Sequence, residues 1–243
     1  MAMPIALCIR HENADTLGVA PDALRSSGLE LVVVQAWERS GSWPDPAEFD
    51  ALLVFGGSMS SLDDDGHPYL AEERDLLRRA VDLGVPTLGV CLGGQLLAQA
   101  LGGRVARAPR PEVGFEPLSL TRDAPGEPTL AAFPSGSLAF QWHEDAFEVP
   151  AGATLLATGQ TGGPQAFRVG SALGIQFHPE IEADELETWI TSTGQAMTSV
   201  WGRDPDEFRR VIAREIDAHK ERGRAFFQAF AREALRAGAH RSA

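Results

Sequence analysis

Cysteine is scarce in this chain. Two occur in 243 residues, Cys8 and Cys91, too few for a disulfide framework and in keeping with a reducing compartment. Basic residues are outnumbered, 21 Lys and Arg against 34 Asp and Glu, for a formal net charge of −13. That balance argues against a phosphate-tracking nucleic-acid binder and against a binder of anionic membranes. Long apolar runs are missing as well. Nothing approaches the roughly 20 apolar residues that span a bilayer, and the apolar stretch Met3–Ile9 is too short for a secretion signal and lacks a basic leader. There is no internal repeat and no flexible linker. The expectation is a soluble, cytoplasmic protein with 44% hydrophobic residues, long enough to bury a substantial core.

The first 100 residues alternate between strand and helix patterns. Pro4–Ile9, Leu31–Gln35, Ala51–Phe55 and Val85–Val90 are continuous apolar runs, the mark of parallel strands covered on both faces. Helices are expected over Thr16–Ser27, Tyr69–Leu83 and Leu92–Leu101, the first ending at Gly28 and the second at Gly84 and Pro86. This order predicts an α/β fold with an open, doubly wound, mostly parallel sheet of flavodoxin-like type. From Val105 the texture changes. Phe115–Leu120, Leu138–Trp142, Thr154–Thr158, Gln165–Val169 and Leu173–Phe177 are short strand candidates that extend the sheet or form a smaller antiparallel layer. After Asp184 the pattern is helical, broken near Gly202, and restarts at Asp204-Pro205 with Glu207 completing a capping signature. The division expected is a domain over 1–183 and a helical extension over 184–243 packed on it.

The segment Thr87-Leu88-Gly89-Val90-Cys91-Leu92-Gly93-Gly94-Gln95 carries the chemistry. A strand runs into Cys91 and a helix begins at once, with glycines two residues to either side. This is the logic of a nucleophile elbow with sulfur in place of hydroxyl. A sharp strand-to-helix turn strains the nucleophile's backbone, and its neighbours must lack bulk. At a helix N-terminus the dipole and free N–H groups favour the thiolate. Cys8, by contrast, reads as a buried residue of the first strand.

A nucleophile needs a base, and the base needs something to hold it. In Gly174-Ile175-Gln176-Phe177-His178-Pro179-Glu180 a strand ends at His178, and Glu180 follows at i+2, on the same side of an extended chain. Pro179 fixes φ between them and restrains His178 to extended conformations. At the end of the third strand, Phe55-Gly56-Gly57-Ser58 lets backbone amides approach a ligand closely at the sheet edge where ligands sit. The Gly57 and Leu92 amides are the candidates for an oxyanion hole. His143 is weighed between a substrate contact and a hydrogen-bonded structural role. Asp63-Asp64-Asp65 reads as a solvated loop, and His11, His67, His219 and His240 lack partners at metal-ligand spacing.

In this order and spacing the segments resemble the class I, triad-type glutamine amidotransferases, from the first strand to about Glu182. The nearest likeness is to free-standing members related to the amidotransferase half of GMP synthetase. Glu112-Val113-Gly114-Phe115, Trp142-His143-Glu144-Asp145 and Gln165-Ala166-Phe167-Arg168 match further family segments. The resemblance implies that Cys91, His178 and Glu180 form the triad. It also implies that Gln95 and the Gly57 backbone bind the glutamine. Gly56 and His143 are further substrate-binding candidates, and the triad mechanism requires no metal or organic cofactor. Two departures stand out. Gly94 occupies a position that often bears a side chain, and Glu144 replaces the usual glycine of its segment. Gly94 and the acidic loop are expected to widen the pocket toward bulkier donors.

Three functions follow from these residues. One is hydrolysis of glutamine or another small γ-glutamyl compound through a γ-glutamyl thioester. Another is glutaminase action that delivers ammonia to a separate synthase chain. The third is a non-catalytic regulatory protein of the same fold, disfavoured because no triad residue is lost.

Overall fold

The computed structural model describes residues 3–14, 16–39 and 41–241; the side chains of His240 and Arg241 lie outside what is described. The continuous apolar runs form parallel strands. β1 (Ile5–Arg10), β2 (Glu30–Gln35), β3 (Ala51–Val54) and β4 (Thr87–Val90) pair in parallel, and β10 (Ala172–Ile175) joins β4 in the same sense. β9 (Pro164–Val169), β8 (Thr154–Thr158) and β6 (Ser119–Leu120) continue the sheet antiparallel, giving the order β2-β1-β3-β4-β10-β9-β8-β6. The doubly wound, mostly parallel arrangement expected from the sequence is the one observed.

Alternate residues of each central strand feed opposite faces. On β1, Ala6 and Cys8 enter a cluster with Leu24 of α1 (Ala20–Ser26) and with Phe226, Phe227 and Phe230 of α6 (Pro205–Arg241). Leu7 and Ile9 enter the opposite cluster with Leu77 of α2 (Tyr69–Asp82) and Leu96 of α3 (Leu92–Ala100). Burial pushes the Cys8 thiol up to about 12, against a smaller lowering by Arg25, so it is inert. No helix among the described residues is long and apolar enough to cross a membrane.

Two segments depart from expectation. α1 starts at Ala20, not Thr16, because the preceding residues make other contacts: Thr16 bonds to the Glu185 carboxylate and Val19 N–H to Glu180 O. β5 (Val105–Pro117) and β7 (Leu138–Phe147) are longer than the sequence suggested and form a separate two-stranded antiparallel ribbon with an irregularity between Arg107 and Glu112. α4 (Ala183–Thr193) and α5 (Ala196–Ser199) lead to α6, which starts as expected, with Glu207 N–H donating to Asp204 Oδ1 at 2.8 Å.

α6 contributes Phe226, Phe227 and Phe230 to the core. Phe227 is fully buried, with its ring centroid 6.2 Å from that of Phe55 beside the third strand. Phe227→Ala should therefore destabilise the protein by about 3–5 kcal/mol, the usual cost of truncating a buried aromatic, as read from urea unfolding.

Candidate active site

β4 carries the chain to Cys91 and α3 starts at the next residue. The turn leaves Cys91 at φ 51°, ψ −108°, the one non-glycine residue with positive φ among the described residues. Such strain costs on the order of 1–3 kcal/mol and persists only where the surroundings enforce it. Here Cys91 N–H donates to Ile175 O at 2.9 Å and Gly93 N–H to Phe55 O at 3.2 Å. A Cβ on Gly93 would fall 2.0 Å from Val54 O, so the helix can start against β3 only with glycine there. Gly94 is held in the same way: a Cβ there would lie 2.4 Å from Ile175 O. That overturns the expectation that Gly94 widens the pocket, since the backbone of β10 already fills the space.

Because β10 is the neighbour of β4, its continuation brings His178 beside the elbow. Glu180 Oε1 lies 2.7 Å from His178 Nδ1, which leaves Nε2 for the side of the thiol. Burial alone would push the imidazole down, but Cys91 and Glu180 beside it hold it well above its ordinary value. Gln176, also wholly buried, donates from Nε2 to Cys91 Sγ at 3.7 Å.

A cavity of about 470 Å³ opens over these groups, and Gly57, Cys91, Leu92, Gln95, His143 and His178 all line it. Gly56 lies under its floor, where a Cβ would sit 3.1 Å from His178 Cε1, and Glu180 stands behind His178. No hydrogen bond within the described residues takes up the N–H of Gly57 or of Leu92. Gln95 commits its Nε2 to Asp145 O at 3.0 Å.

His143 is tied into the wall. Its Nδ1 lies 3.0 Å from Asp145 O, and its Nε2 lies 3.2 Å from both Gln141 Oε1 and Glu112 Oε2. Gln165 Nε2 donates to the same Glu112 carboxylate at 2.7 Å. Burial pushes Glu112 up, but hydrogen bonds from His143 and Thr161 outweigh it and leave the carboxyl below its ordinary value. Glu144 crosses the rim, accepting from Trp201 Nε1 at 2.7 Å and pairing with Arg107 at 2.6 Å. It closes that side of the cavity and does not enlarge it. Trp189 and Trp201, from the segment after Asp184, complete the wall. Asp64 pairs with Arg74 at 2.5 Å, and the described residues hold no cluster of three or more metal-ligating side chains.

Sequence reasoning passed over two histidines that bear on the site. His219 of α6 is buried and donates from Nε2 to His178 O at 2.8 Å. One turn on, Gly223 lies so close to the same segment that a Cβ would fall 2.0 Å from Pro179 O. His11 lies 2.8 Å from Gly56 O through Nδ1. Both histidines hold main-chain carbonyls, which leave no mark in a motif.

The family Glutamine amidotransferase class-I matches residues 19–193 of the chain. The chain belongs to the class I glutamine amidotransferases. Among its relatives, a glutamine amidotransferase-like protein of Salmonella typhimurium, YfeJ, is 29% identical over 84% of this chain and 85% of its own length. One of the subunits of the glutamine-hydrolysing GMP synthase of Sulfolobus acidocaldarius is 31% identical over 67% of this chain and 82% of its own. Gamma-glutamyl peptidase 5 of Arabidopsis thaliana is 31% identical over 60% and 61%. The crystal structure of a glutamine amidotransferase from Thermotoga maritima superposes with a TM-score of 0.83 at 27% identity, covering 95% of this chain and 99% of that one.

In this amidotransferase the neutral His219 has a consequence for stability. Burial lowers its pKa to about 4, outweighing the hydrogen bond to His178 O. An unfolded histidine protonates near 6.5, so between those values the unfolded state binds the extra proton and stability falls as pH falls. The contribution is complete above about pH 6.5 and amounts to a loss of about 2 kcal/mol by pH 5. Urea unfolding at pH 7 and pH 5 should show that His219→Gln sheds this share of the pH dependence.

Proposed function

We propose that this amidotransferase hydrolyses the side-chain amide of glutamine or of a related γ-glutamyl compound, with Cys91, His178 and Glu180 as a catalytic triad. The observation that supports this most is the strained Cys91 at the start of α3 beside a buried histidine whose far nitrogen meets Glu180 at 2.7 Å.

The Cys91 thiolate attacks the amide carbon, and its proton resides on His178. The N–H groups of Gly57 and Leu92 donate to the tetrahedral oxyanion, a contribution worth about 10²–10³ in rate per donor. The intermediate collapses as His178 protonates the departing nitrogen, releasing ammonia or an amine and leaving a γ-glutamyl thioester. Water, deprotonated by His178, then attacks the thioester and expels the Cys91 sulfur, giving glutamate. Glu180 orients the imidazole and stabilises its charged form. Gly56, Gln95 and the wall around His143 enclose the γ-glutamyl group. No step requires a metal or an organic cofactor.

The cavity falls in the size range of sites for drug-sized ligands, about 300–1,000 Å³, which favours donors that extend past the γ-glutamyl unit. The relationship to a gamma-glutamyl peptidase points the same way. The relationship to a glutamine-hydrolysing GMP synthase made of separate subunits supports a second reading, a glutaminase that passes ammonia to another synthase chain. On either reading residues 1–183 are the catalytic domain and 184–243 an extension that also walls the site. The free thiols suit the cytoplasm.

Glutamate release from glutamine and from a panel of γ-glutamyl dipeptides tests the proposal. Wild-type protein should turn over at least one donor at an ordinary rate, and Cys91→Ala should abolish release while staying folded. His178→Ala should remove nearly all activity and Glu180→Gln less, with the His178/Glu180 double variant no slower than His178→Ala because the groups act as a unit. Turnover retained by Cys91→Ala overturns the mechanism. Trace turnover of every donor until a synthase chain is added replaces the free hydrolase by the ammonia-donating partner of a synthase.

A further inference from the structure

Under the Gly56-Gly57 turn lies a second histidine–carboxylate pair that plays no part in the triad. His11 follows directly on β1 and is buried. Its Nε2 lies 3.0 and 3.2 Å from the two carboxylate oxygens of Glu73 on α2, itself fully buried. Its Nδ1 lies 2.8 Å from Gly56 O. A carbonyl oxygen can only accept, so Nδ1 carries a proton aimed at the 56–57 peptide.

That peptide is the one whose N–H belongs to Gly57. A trans peptide is planar, with its C=O and N–H pointing in opposite directions. Fixing Gly56 O on His11 therefore turns Gly57 N–H away from His11. Gly57 lines the cavity with Cys91 and Leu92, and its N–H is not taken up within the described residues. The torsions that would flip this peptide belong to two glycines, for which both signs of φ are nearly equal in energy. Without an anchor the donor would not keep its direction. The next amide is held separately, Ser58 N–H donating to Glu12 Oε1 at 2.6 Å.

A buried ionisable pair is a weak stabiliser. Well-packed apolar residues of similar volume commonly serve as well or better. What an apolar pair could not do is hold a carbonyl. Resting on the catalytic reading above, we infer that His11, fixed by Glu73, is a positioning residue that keeps the Gly57 amide directed at the oxyanion.

Two polar replacements separate this role from packing. Asparagine offers an N–H donor where Nδ1 lies, and glutamine offers one where Nε2 lies, toward Glu73 instead of Gly56. His11→Asn should keep kcat within about threefold of wild type. His11→Gln should lower kcat about 10–100-fold, part of the 10²–10³ lost when an oxyanion donor is deleted outright. KM should change little, and the rate of Cys91 alkylation by iodoacetamide should hold, because His178 is untouched. Equal kcat in the two variants, or a fall in alkylation that parallels kcat, overturns the inference. The Gly57 amide resonance supplies a readout free of catalysis: it should move in His11→Gln and stay near its wild-type position in His11→Asn, and an unmoved resonance in both overturns the inference. If wild type and Cys91→Ala release glutamate alike from every donor, the catalytic reading fails, and the amide resonance still decides whether His11 orients the peptide.

Discussion

The site is organised around one strained residue. Cys91 is held in a backbone conformation that an L side chain avoids, and the hydrogen bonds that keep it there come from the strands on either side of β4. Ile175 of β10 accepts from Cys91 N–H, and Phe55, directly after β3, accepts from Gly93 N–H. The elbow thus locks together the sheet positions that deliver the other parts of the site. Phe55 is followed by the Gly56-Gly57 turn, and Ile175 by the segment that carries His178. Removing either contact would release the cysteine and also loosen a partner.

The segment from His178 to Glu180 is held with equal thoroughness, by elements remote in sequence. His219 takes the carbonyl of His178, Gly223 packs on that of Pro179, and Val19 N–H binds that of Glu180. α6 and the turn before α1 therefore act on the same three residues. This explains why a turn stands directly before α1 where the periodicity suggested helix. The site lies at the ends of rigid strands, but its accuracy depends on main-chain contacts made from outside the sheet.

How far the sequence revealed all this depends on the kind of interaction. Continuous apolar runs translate directly into parallel strands with two covered faces, so the central sheet is legible. The elbow is legible because its glycines and cysteine are adjacent, and the His178–Glu180 pair because i and i+2 share a face of an extended chain. The roles of His11 and His219 are not, since each binds a carbonyl more than 40 residues away and any residue supplies a carbonyl. Gly94 misled for a related reason: an absent side chain reads as space, whereas the fold had put the backbone of β10 there. The closure that Glu144 makes is not legible either, because its partners Trp201 and Arg107 come from segments that the local pattern does not connect to it.

The aromatic wall has an optical consequence. The chain has five tryptophans, and three of them, Trp142, Trp189 and Trp201, line the cavity. Their rings touch in sequence, with centroids 5.5 Å apart for Trp142 and Trp189 and 5.2 Å for Trp142 and Trp201. More than half of the indoles of this protein therefore face the compartment over Cys91. A molecule filling that compartment displaces water from their edges and changes the polarity they sense, so the emission of the unlabelled protein registers occupancy of the cavity whether or not a bond is broken there.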